Sequence, residues 1–207
     1  MKLLVKNLSC YLTGRKIFSD ISFSLKTGEI LKISGENGSG KTTLLRAISG
    51  LSSFDSGEIL INKKEIFLLG HNAGIKQNLT VEEDLEFWSN FYQNEHDDKI
   101  LKKLSLNSKI YSQCRYLSQG QKQKLALTRL FCSNKKIWLL DEPFSFLDEE
   151  SSLFLLKKIE NHRQNNGIII IVSHQNLIKN PDKVKAEQLQ SLSGGISASY
   201  HQLPQPN

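Results

Sequence analysis

Cysteine is scarce in this chain of 207 residues, and its scarcity argues against two classes of small protein. The three cysteines, Cys10, Cys114 and Cys132, are odd in number and lie far apart in the sequence. They predict neither a disulfide framework nor a zinc site, because both need closely patterned cysteines. We expect them to be buried thiols in a reducing compartment.

Long apolar runs are also missing. The longest purely aliphatic run, Ile168 to Val172, is far shorter than the roughly 20 residues that cross a bilayer. The opening stretch MKLLVKNLSCYLTGRK is interrupted by charge and lacks the pattern of a signal peptide. We therefore expect no membrane span and no secretion, so that a partner would have to hold the chain at any membrane.

The excess of positive charge is modest and dispersed. The net charge is +6 with a pI of about 9.1, and lysine pairs are scattered among acidic residues. They lack the interleaved aromatics of a single-strand binder, which favours a solvated basic surface and no nucleic-acid partner. These pairs are Lys63 and Lys64, Lys102 and Lys103, Lys135 and Lys136, and Lys157 and Lys158.

Strands and helices alternate along most of the chain. The run EILKIS (Glu29 to Ser34) predicts a strand, a glycine loop follows, and KTTLLRAISG predicts a helix that Gly50 stops. SGEILIN, KEIFLLG, KIWLLDEP and GIIIIVSH predict further strands, with a helix from Glu149 to about His162. We predict an α/β fold with a mainly parallel sheet flanked by helices and an antiparallel β region at the start.

A helical subdomain is expected at about residues 78–132, inserted into a single domain of residues 1–190. Thr80 and Glu83 occupy capping-box positions, and Leu85, Trp88 and Phe91 or Tyr92 would share one helix face that we expect to be core. DDKILKKLSL predicts a second amphipathic helix. Residues 191–207, rich in Ser, Gly, Gln and Pro, predict a flexible tail.

Two stretches place glycine and hydroxyl residues where a helix begins, and each could therefore hold a phosphate. The first, GENGSGKTT, has the spacing of a Walker A loop: its backbone amides would surround a β-phosphate, Lys41 would reach the β and γ oxygens, and Thr42 would bind Mg²⁺. The second is YLSQGQKQKLALTRL, from Tyr116 to Leu130. The predicted ATP-binding residues of the first loop are Gly35, Glu36, Asn37, Gly38, Ser39, Gly40, Lys41, Thr42 and Thr43.

An acidic pair follows the strand IWLLDEP at the edge where α/β proteins bind ligands. Asp141 would approach the metal through water. Glu142, expected to point the opposite way along the strand, suits a general base that takes a proton from water attacking the γ-phosphate.

The order of these motifs resembles the ATP-binding cassette family over Lys6 to about Leu189. The resemblance is carried by the Walker loop, LSQGQ at Leu117 to Gln121, LLDEP, SFLD at Ser145 to Asp148, and a lone His174 after a buried strand. It implies a P-loop ATPase that forms head-to-tail dimers, as a homodimer or with a second cassette subunit. Ser118, Gly120 and Gln121 would then bind the partner's ATP, Asp148 would lie at the dimer seam, and His174 would contact the γ-phosphate.

Two positions depart from the family pattern. Where most cassettes have a glutamine that touches Mg²⁺ and the transport partner, LGHNAGIKQNLT places His71 or Asn72; Asn72 is the better metal ligand, because Mg²⁺ prefers oxygen. The aromatic that stacks on adenine is either Tyr11 or absent, since Leu12 could fall at the matching position.

The segment LGHNAGIKQNLTVEEDLEFW, together with IWLLDEPFSFLD, is similar to the ATPase subunits of the haem exporters of cytochrome c biogenesis. That resemblance implies integral membrane partners like CcmB and CcmC, and a peripheral location on the cytoplasmic face of the bacterial inner membrane or the matrix face of the mitochondrial one. The alternatives are another small cassette exporter or a soluble cassette protein of translation or DNA repair. Translation-type members carry two cassettes and repair-type members insert long coiled coils, whereas this chain does neither. A small-molecule kinase or GTPase would leave LSQGQ unexplained.

Overall fold

A computed structural model describes residues 2–70, 74–95 and 97–173 together with the backbone of 185–192 and 196–202. The elements run in the order β1 (Lys2–Leu12), β2 (Arg15–Lys26), β3 (Ile30–Gly35), α1 (Lys41–Ser49), β4 (Ser56–Leu60), β5 (Ile66–Leu69), α2 (Val81–Tyr92), α3 (Asp98–Lys103), α4 (Gln119–Cys132), β6 (Ile137–Asp141), α5 (Glu149–Gln164), β7 (Ile168–Val172), β8 (Lys185–Leu192) and β9 (Ile196–Gln202).

The described strands form two sheets. The smaller one has the order β2-β1-β4 and is antiparallel, as expected for the start of the chain. The larger one has the order β5-β6-β7-β3-β9-β8, in which β5, β6, β7 and β3 are parallel neighbours. This confirms the mainly parallel sheet, and it places β7 between the strand that leads into the glycine loop and the strand that ends in the acidic pair.

Two apolar clusters enclose the larger sheet. One joins α1 and the antiparallel sheet to one sheet face, and the other joins α2, α4 and α5 to the opposite face. The aliphatic strands β6 and β7 are buried along their whole length, as parallel strands covered on both faces must be. The three cysteines are buried free thiols, as expected, and burial raises the pKa of each.

The end of the chain differs from the expected tail, because Ile196–Gln202 forms strand β9. It pairs antiparallel with β3, from Ile30 opposite His201 to Gly35 opposite Ile196. Pairing of this kind uses backbone groups only, so a segment rich in serine can satisfy the hydrogen bonds of a strand edge that would otherwise stay open.

The aromatic stripe of α2 also differs from expectation. The helix buries Val81, Asp84 and Leu85, whereas Trp88 and Tyr92 are half-buried and Phe91 is 65% exposed. Because successive turns of a helix place residues three or four apart on one face, packing through its first turns leaves the aromatics further along at the edge of the core. The stripe is therefore a partly exposed surface.

Candidate active site

The glycine loop joins β3 to α1 and is fixed by a contact with β2. Gly40 caps α1 with a φ of 98°, a left-handed conformation that favours glycine. A Cβ at Gly40 would lie 2.6 Å from Cγ2 of Ile17, so a larger residue would also push β2 away. The chain can turn directly from strand to helix only because this residue has no side chain.

The N-terminus of α1 presents backbone donors to the loop. Gly40 supplies no side-chain cap, and the first helical hydrogen bond runs from Leu44 N to Gly40 O at 2.8 Å. Over the part of the chain that the structure describes, the amides of Lys41, Thr42 and Thr43 have no acceptor. Such amides, together with the partial positive charge of the helix end, form an anion-binding site.

Lys41 lies inside the loop and is 7% exposed. Its ammonium group donates hydrogen bonds to the backbone oxygens of Gly35 at 2.8 Å and Glu36 at 2.7 Å. The hydroxyl of Ser39 is buried and has no hydrogen-bond partner among the described residues. A buried cation held by neutral carbonyls, next to an unsatisfied hydroxyl, fits a phosphate chain that would supply both a counter-charge and acceptors.

Thr42 and Asp141, both predicted to lie at the metal, are in direct contact. The Thr42 hydroxyl donates to Oδ2 of Asp141 at 2.7 Å, across 99 positions of sequence. A hydroxyl beside a carboxylate offers the oxygen ligands that Mg²⁺ prefers. Among the described residues, no cluster of three or more His, Cys, Asp or Glu could hold a metal.

Glu142 follows Asp141 but lies outside the strand, so alternation along the strand does not set its direction as we expected. Its φ is +50°, and its N–H donates to the oxygen of Val172 at 2.9 Å. A left-handed backbone costs a residue other than glycine about 1 kcal/mol or more, and such strain concentrates at functional positions.

Lys32 lies on β3, is half-buried and was not predicted to belong to the site. Burial lowers the pKa of Lys32, while the carboxylate of Glu142 acts in the opposite direction. Lys32 thus belongs to the electrostatic environment of the proposed base. Its position inside a strand gives no sequence signal for that role.

The second glycine stretch begins α4 with a capping box. Oγ of Ser118 accepts the N–H of Gln121 at 3.2 Å, and Oε1 of Gln121 accepts the N–H of Ser118 at 2.9 Å. Within the described ranges, the amides of Gln119 and Gly120 have no acceptor, and Ser118 is exposed. The outward donors are therefore two amides and a hydroxyl, while the side chain of Gln121 holds the turn.

The start of α4 is attached to the segment that follows Glu142. A Cβ on Gly120 would lie 2.6 Å from the backbone oxygen of Phe146, and the buried side-chain amide of Gln123 donates to Pro143 O at 3.0 Å. Lys124 forms an ion pair of 2.5 Å with Asp148. These contacts join residues distant in sequence. Gln123 and Lys124 were not predicted to belong to the site, because their partners come close only through the order of the strands.

Asp148 has two partners on its own chain. Its Oδ1 accepts the N–H of Ser151 at 2.8 Å and so caps α5. The hydrogen bond from Lys124, followed by those from Ser151, lowers the pKa of Asp148 to about 2. The carboxylate is therefore charged at physiological pH, and it remains 57% exposed at the predicted seam.

Tyr11 is the predicted adenine contact. It is 47% exposed near the end of β1, opposite Lys16, and its N–H donates to Oδ2 of Asp55 at 2.7 Å. The neighbouring Leu12 is 65% exposed. Lys16, the partner of Tyr11, is followed by Ile17, against which Gly40 packs. Tyr11 therefore lies on the strand next to the one that contacts the glycine loop. Its stacking on adenine stays a prediction.

A cavity of about 460 Å³ extends from the contact between Thr42 and Asp141 to the aromatic side chains of α2. Thr42 and Asp141 line one part of it, and Trp88, Tyr92 and Arg129 line another. His71, Asn72 and His174 lie outside the described residues, so their predicted roles are not placed. Of the helices within the described ranges, none combines the length and the apolar character needed to cross a membrane.

Comparisons with known proteins agree on one family. The model of the ABC transporter family matches residues 18–145. The cytochrome c biogenesis ATP-binding export protein CcmA of Vibrio cholerae is 36% identical over 200 residues, covering 89% of this chain and 97% of that protein. Its counterpart in Aliivibrio fischeri is 33% identical over 199 residues, covering 89% and 98%.

Solved structures are similar as well. A putative ABC transporter ATP-binding protein from Pyrococcus furiosus superposes with a TM-score of 0.72 at 28% identity, covering 86% of this chain and 94% of the other. The ATP-binding subunit of another ABC transporter gives 0.75 at 25% identity, covering 84% and 80%. Together with the contact between the Walker A loop and Asp141 and the capped start of α4 at LSQGQ, these matches show that the chain belongs to the ABC transporter family.

Proposed function

We propose that this protein is the ATP-hydrolysing subunit of an ABC transporter that drives haem export or a related step of cytochrome c maturation. The observation that carries the ATPase assignment is the 2.7 Å contact between Thr42 and Asp141. It joins the Walker A loop to the acidic end of the strand IWLLD at the carboxyl edge of the sheet. The cargo assignment is supported by relatives named cytochrome c biogenesis ATP-binding export proteins, at 33–36% identity.

The residues of the glycine loop bind and orient the nucleotide. Lys41 exchanges its backbone acceptors for phosphate oxygens, and the amides at the start of α1 donate to the same group. Thr42 and Asp141 would hold Mg²⁺, which would neutralise charge on the phosphates. Asn72 is proposed as a further oxygen ligand, and Tyr11 as the ring beneath adenine.

Glu142 acts as the general base. Its carboxylate accepts a proton from a water as that water's oxygen attacks the γ-phosphorus and the bond to the ADP oxygen breaks. The hydrogen bond from its N–H to Val172 and its left-handed backbone fix where the side chain starts. His174, which follows β7, is proposed to contact the γ-phosphate.

The complete site requires a second cassette, either another copy of this chain or a related subunit. Ser118 is exposed, and the amides of Gln119 and Gly120 point out of the start of α4 as an anion-binding end. In a head-to-tail pair these groups would close over the ATP held by the partner's glycine loop. The nucleotide would then join the two subunits, and hydrolysis would release them.

The aromatic face of α2, which consists of Phe87, Trp88, Phe91 and Tyr92, is proposed to receive a segment of an integral membrane subunit. Phe87 is 46% and Phe91 is 65% exposed, and their rings pack together with Trp88. Lys76 lies 5.1 Å from the ring of Phe87, and Lys135 lies 5.8 Å from the ring of Tyr92. This combination suits an amphipathic segment that carries apolar side chains flanked by acidic ones.

ATP hydrolysis by the purified protein, with the Glu142→Gln variant, tests the enzymatic assignment. We expect the variant to hydrolyse ATP about 10² to 10⁴ times more slowly while binding it with unchanged affinity, because the amide cannot accept the proton. An ATP-bound dimer should accumulate in size-exclusion chromatography. Near-normal turnover by the variant would remove Glu142 from the role of base.

Substitution of the aromatic face tests the membrane partner. Phe87→Ser with Phe91→Ser should lower recovery of the protein with membrane subunits roughly tenfold, since exposed aromatics dominate interface energies. ATP hydrolysis by the isolated protein should change little. Leu153→Ser, which alters an exposed apolar residue on α5, is the matched control.

The cargo and location need a cellular measurement. Deletion of the gene should abolish covalent haem attachment to c-type cytochromes. Mass spectrometry of the co-purified membrane subunits should identify integral proteins of the CcmB and CcmC kind, to which this chain would bind from the cytoplasmic face. Normal cytochrome c, with a different exporter co-purifying, would assign the ATPase to another small transporter.

A further inference from the structure

Tyr11 lies where β1 loses one of its two neighbouring strands. β1 is the middle strand of the smaller sheet, between β2 and β4. On the β2 side, Tyr11 pairs with Lys16. On the other side, β4 begins only at Ser56, which lies opposite Ser9, so that β4 does not reach Tyr11. The backbone at Tyr11 therefore needs a hydrogen-bond partner from outside the sheet.

Asp55 supplies the acceptor that β4 does not provide. Its Oδ2 accepts the N–H of Tyr11 at 2.7 Å, and its own N–H donates to the backbone oxygen of Ser9 at 2.9 Å. The two bonds span Cys10 and extend the pairing of β1 with a side chain in place of a strand. A carboxylate accepts such a bond more strongly than a neutral carbonyl does.

The loop that carries Asp55 is anchored next to it. Phe54 packs against the apolar cluster that joins α1 to the antiparallel sheet, and Sγ of Cys10 lies 4.0 Å from the backbone oxygen of Ser53. The side chain of Asp55 itself is exposed. Because an exposed carboxylate needs no partner to satisfy a buried charge, its bond to Tyr11 acts on the local position of the strand more than on the fold.

A β-bulge fixes the opposite side of the same point. Cys10 pairs with Phe18, but Tyr11 pairs with Lys16, so Ile17 is an extra residue in β2. Ile17 is also the residue that packs against the glycine loop. The bulge thus sets the distance between the loop and β1 from one side, and the carboxylate holds β1 from the other. The ring of Tyr11 is 47% exposed between these two constraints.

We propose that Asp55 is a positioning residue that holds Tyr11 in place for the adenine base of ATP. This rests on the proposed function, because it requires ATP at the glycine loop with its base against Tyr11. Without the bond, the end of β1 is paired on one side only, and strand ends paired in this way fray. The phosphates are bound by the glycine loop, so the loss concerns the base alone.

A ligand without a base tests the proposal. Calorimetry compares MgATP with magnesium tripolyphosphate, which carries the phosphates only. Asp55→Ala should weaken the affinity for MgATP about 3- to 10-fold and that for tripolyphosphate less than about twofold. Tyr11→Ala should cause a selective loss at least as large. In the double variant, Asp55→Ala should add no further loss, because it acts through the ring that is already absent.

Two further variants separate positioning from folding. Asp55→Glu keeps the charge but displaces the carboxylate by one methylene group, so it should show the same selective loss even if Asp55→Ala does not fold. Ser22→Ala is the matched control. It removes the hydroxyl oxygen that accepts the N–H of Asn7 at 2.8 Å, a bond of the same kind near the other end of β1, and it should leave both affinities unchanged.

The outcomes separate the inference from the function on which it rests. Equal losses for MgATP and tripolyphosphate in the Asp55 variants would show an effect on the fold and overturn the proposal. So would a selective loss in Tyr11→Ala without one in the Asp55 variants. An unchanged affinity of Tyr11→Ala for MgATP would also overturn it, and would leave the ATPase assignment intact. Absence of ATP binding in the parent protein would overturn the proposed function, and the inference with it.

Discussion

Gly120 is a residue whose identity is set by another segment of the chain. Its missing side chain allows the backbone oxygen of Phe146 to approach the start of α4, where a Cβ would lie 2.6 Å away. Real Cβ atoms do not come so close to oxygen, so a methyl group at this point must move either the helix start or the segment that leads to Asp148. Both structures belong to the proposed seam between subunits.

Gly120→Ala should therefore impair hydrolysis without impairing nucleotide binding by one subunit. We expect ATP turnover to fall about 10- to 100-fold, because displacement of a catalytic segment by a fraction of an ångström has effects of this size. Overpacking should also lower the free energy of unfolding by about 1–3 kcal/mol. Steady-state hydrolysis, calorimetric ATP affinity and urea unfolding measure the three quantities.

Gly14→Ala provides the comparison. Gly14 also has a positive φ, of 77°, but a Cβ there would meet no atom within 4 Å. It should reduce stability through backbone strain and leave turnover per folded molecule unchanged. Equal loss of turnover in both variants would show that the contact with Phe146 is not responsible.

Some residues of the candidate site could be predicted from the sequence, and others could not. Lys41, Thr42 and Asp141 were predicted from spacing, because a glycine loop between strand and helix has few other uses. The capping box of Thr80 and Glu83 was predicted as well, since both partners lie within one turn, whereas the box of Ser118 and Gln121 was not. Arg129 and Gln123 were not predicted, because their partners lie 45 and 20 positions away and are brought close only by the sheet.

Helix α5 is held against β6 by a histidine that is neutral when folded. The ring of His162 stacks on Trp138 with centroids 3.7 Å apart and an interplanar angle of 7°, and its Nε2 lies 3.2 Å from the oxygen of Lys136. Gly167 packs so closely that a Cβ would lie 2.2 Å from the ring. Burial lowers the pKa of His162 to about 4, against a hydrogen bond to Lys136 that favours protonation.

This arrangement predicts a loss of stability in mild acid. Below its ordinary pKa of about 6.5 the unfolded chain binds a proton at His162, whereas the folded chain resists it down to about pH 4. The contribution of the folded, neutral ring is therefore complete above pH 6.5 and is lost as the pH falls toward 4. The free energy of unfolding should drop over this window.

His162→Phe isolates that contribution, since phenylalanine keeps the stack on Trp138 but cannot be protonated. Urea unfolding at intervals from pH 7.5 to 4.5 should give a difference between the two proteins that shifts in favour of the variant as the pH falls. Parallel curves over the whole window would show that His162 titrates alike in both states.

Most strands and helices were predicted from the sequence, but composition gave the wrong structure for one strand. The parallel strands were predicted from apolar runs, and the helix predicted from Glu149 to about His162 is α5, Glu149–Gln164. Ile196–Gln202 was assigned to a tail because its residues are small and polar, yet it pairs with β3. Main-chain pairing at a strand edge leaves no mark on composition, although the alternation of Ile196, Ala198 and Tyr200 with polar residues was present.

At the scale of the whole molecule, the chain carries two parts of a site that we propose to be shared between subunits. Lys41 belongs to the ATP-binding part, and Ser118 belongs to the part offered to a partner. If the parts act across a dimer, they can be supplied by different chains. That possibility distinguishes the shared arrangement from one in which each chain completes its own site.

A mixing experiment makes the distinction. Lys41→Ala and Ser118→Arg should each be inactive alone. A mixed dimer contains one complete site, built from the intact Walker A loop of one chain and the intact LSQGQ segment of the other. Hydrolysis by the mixture should recover to about a quarter of the wild-type rate, because random pairing gives half mixed dimers with one complete site each. The double variant mixed with either single variant is the control and should stay inactive. A mixture that stays inactive would contradict the shared site.

The order of the strands has a consequence for biosynthesis. β7 is translated after β3 and β6 but lies between them, and it joins the strand that leads into the glycine loop to the strand that ends at Asp141. A nascent chain that ends before Ile168 contains the Walker A loop and the sequence IWLLDEP, but it lacks the strand that lies between them in the sheet. The ribosome must therefore translate past Val172 before the ATPase site can form, and fragments released earlier should not hydrolyse ATP.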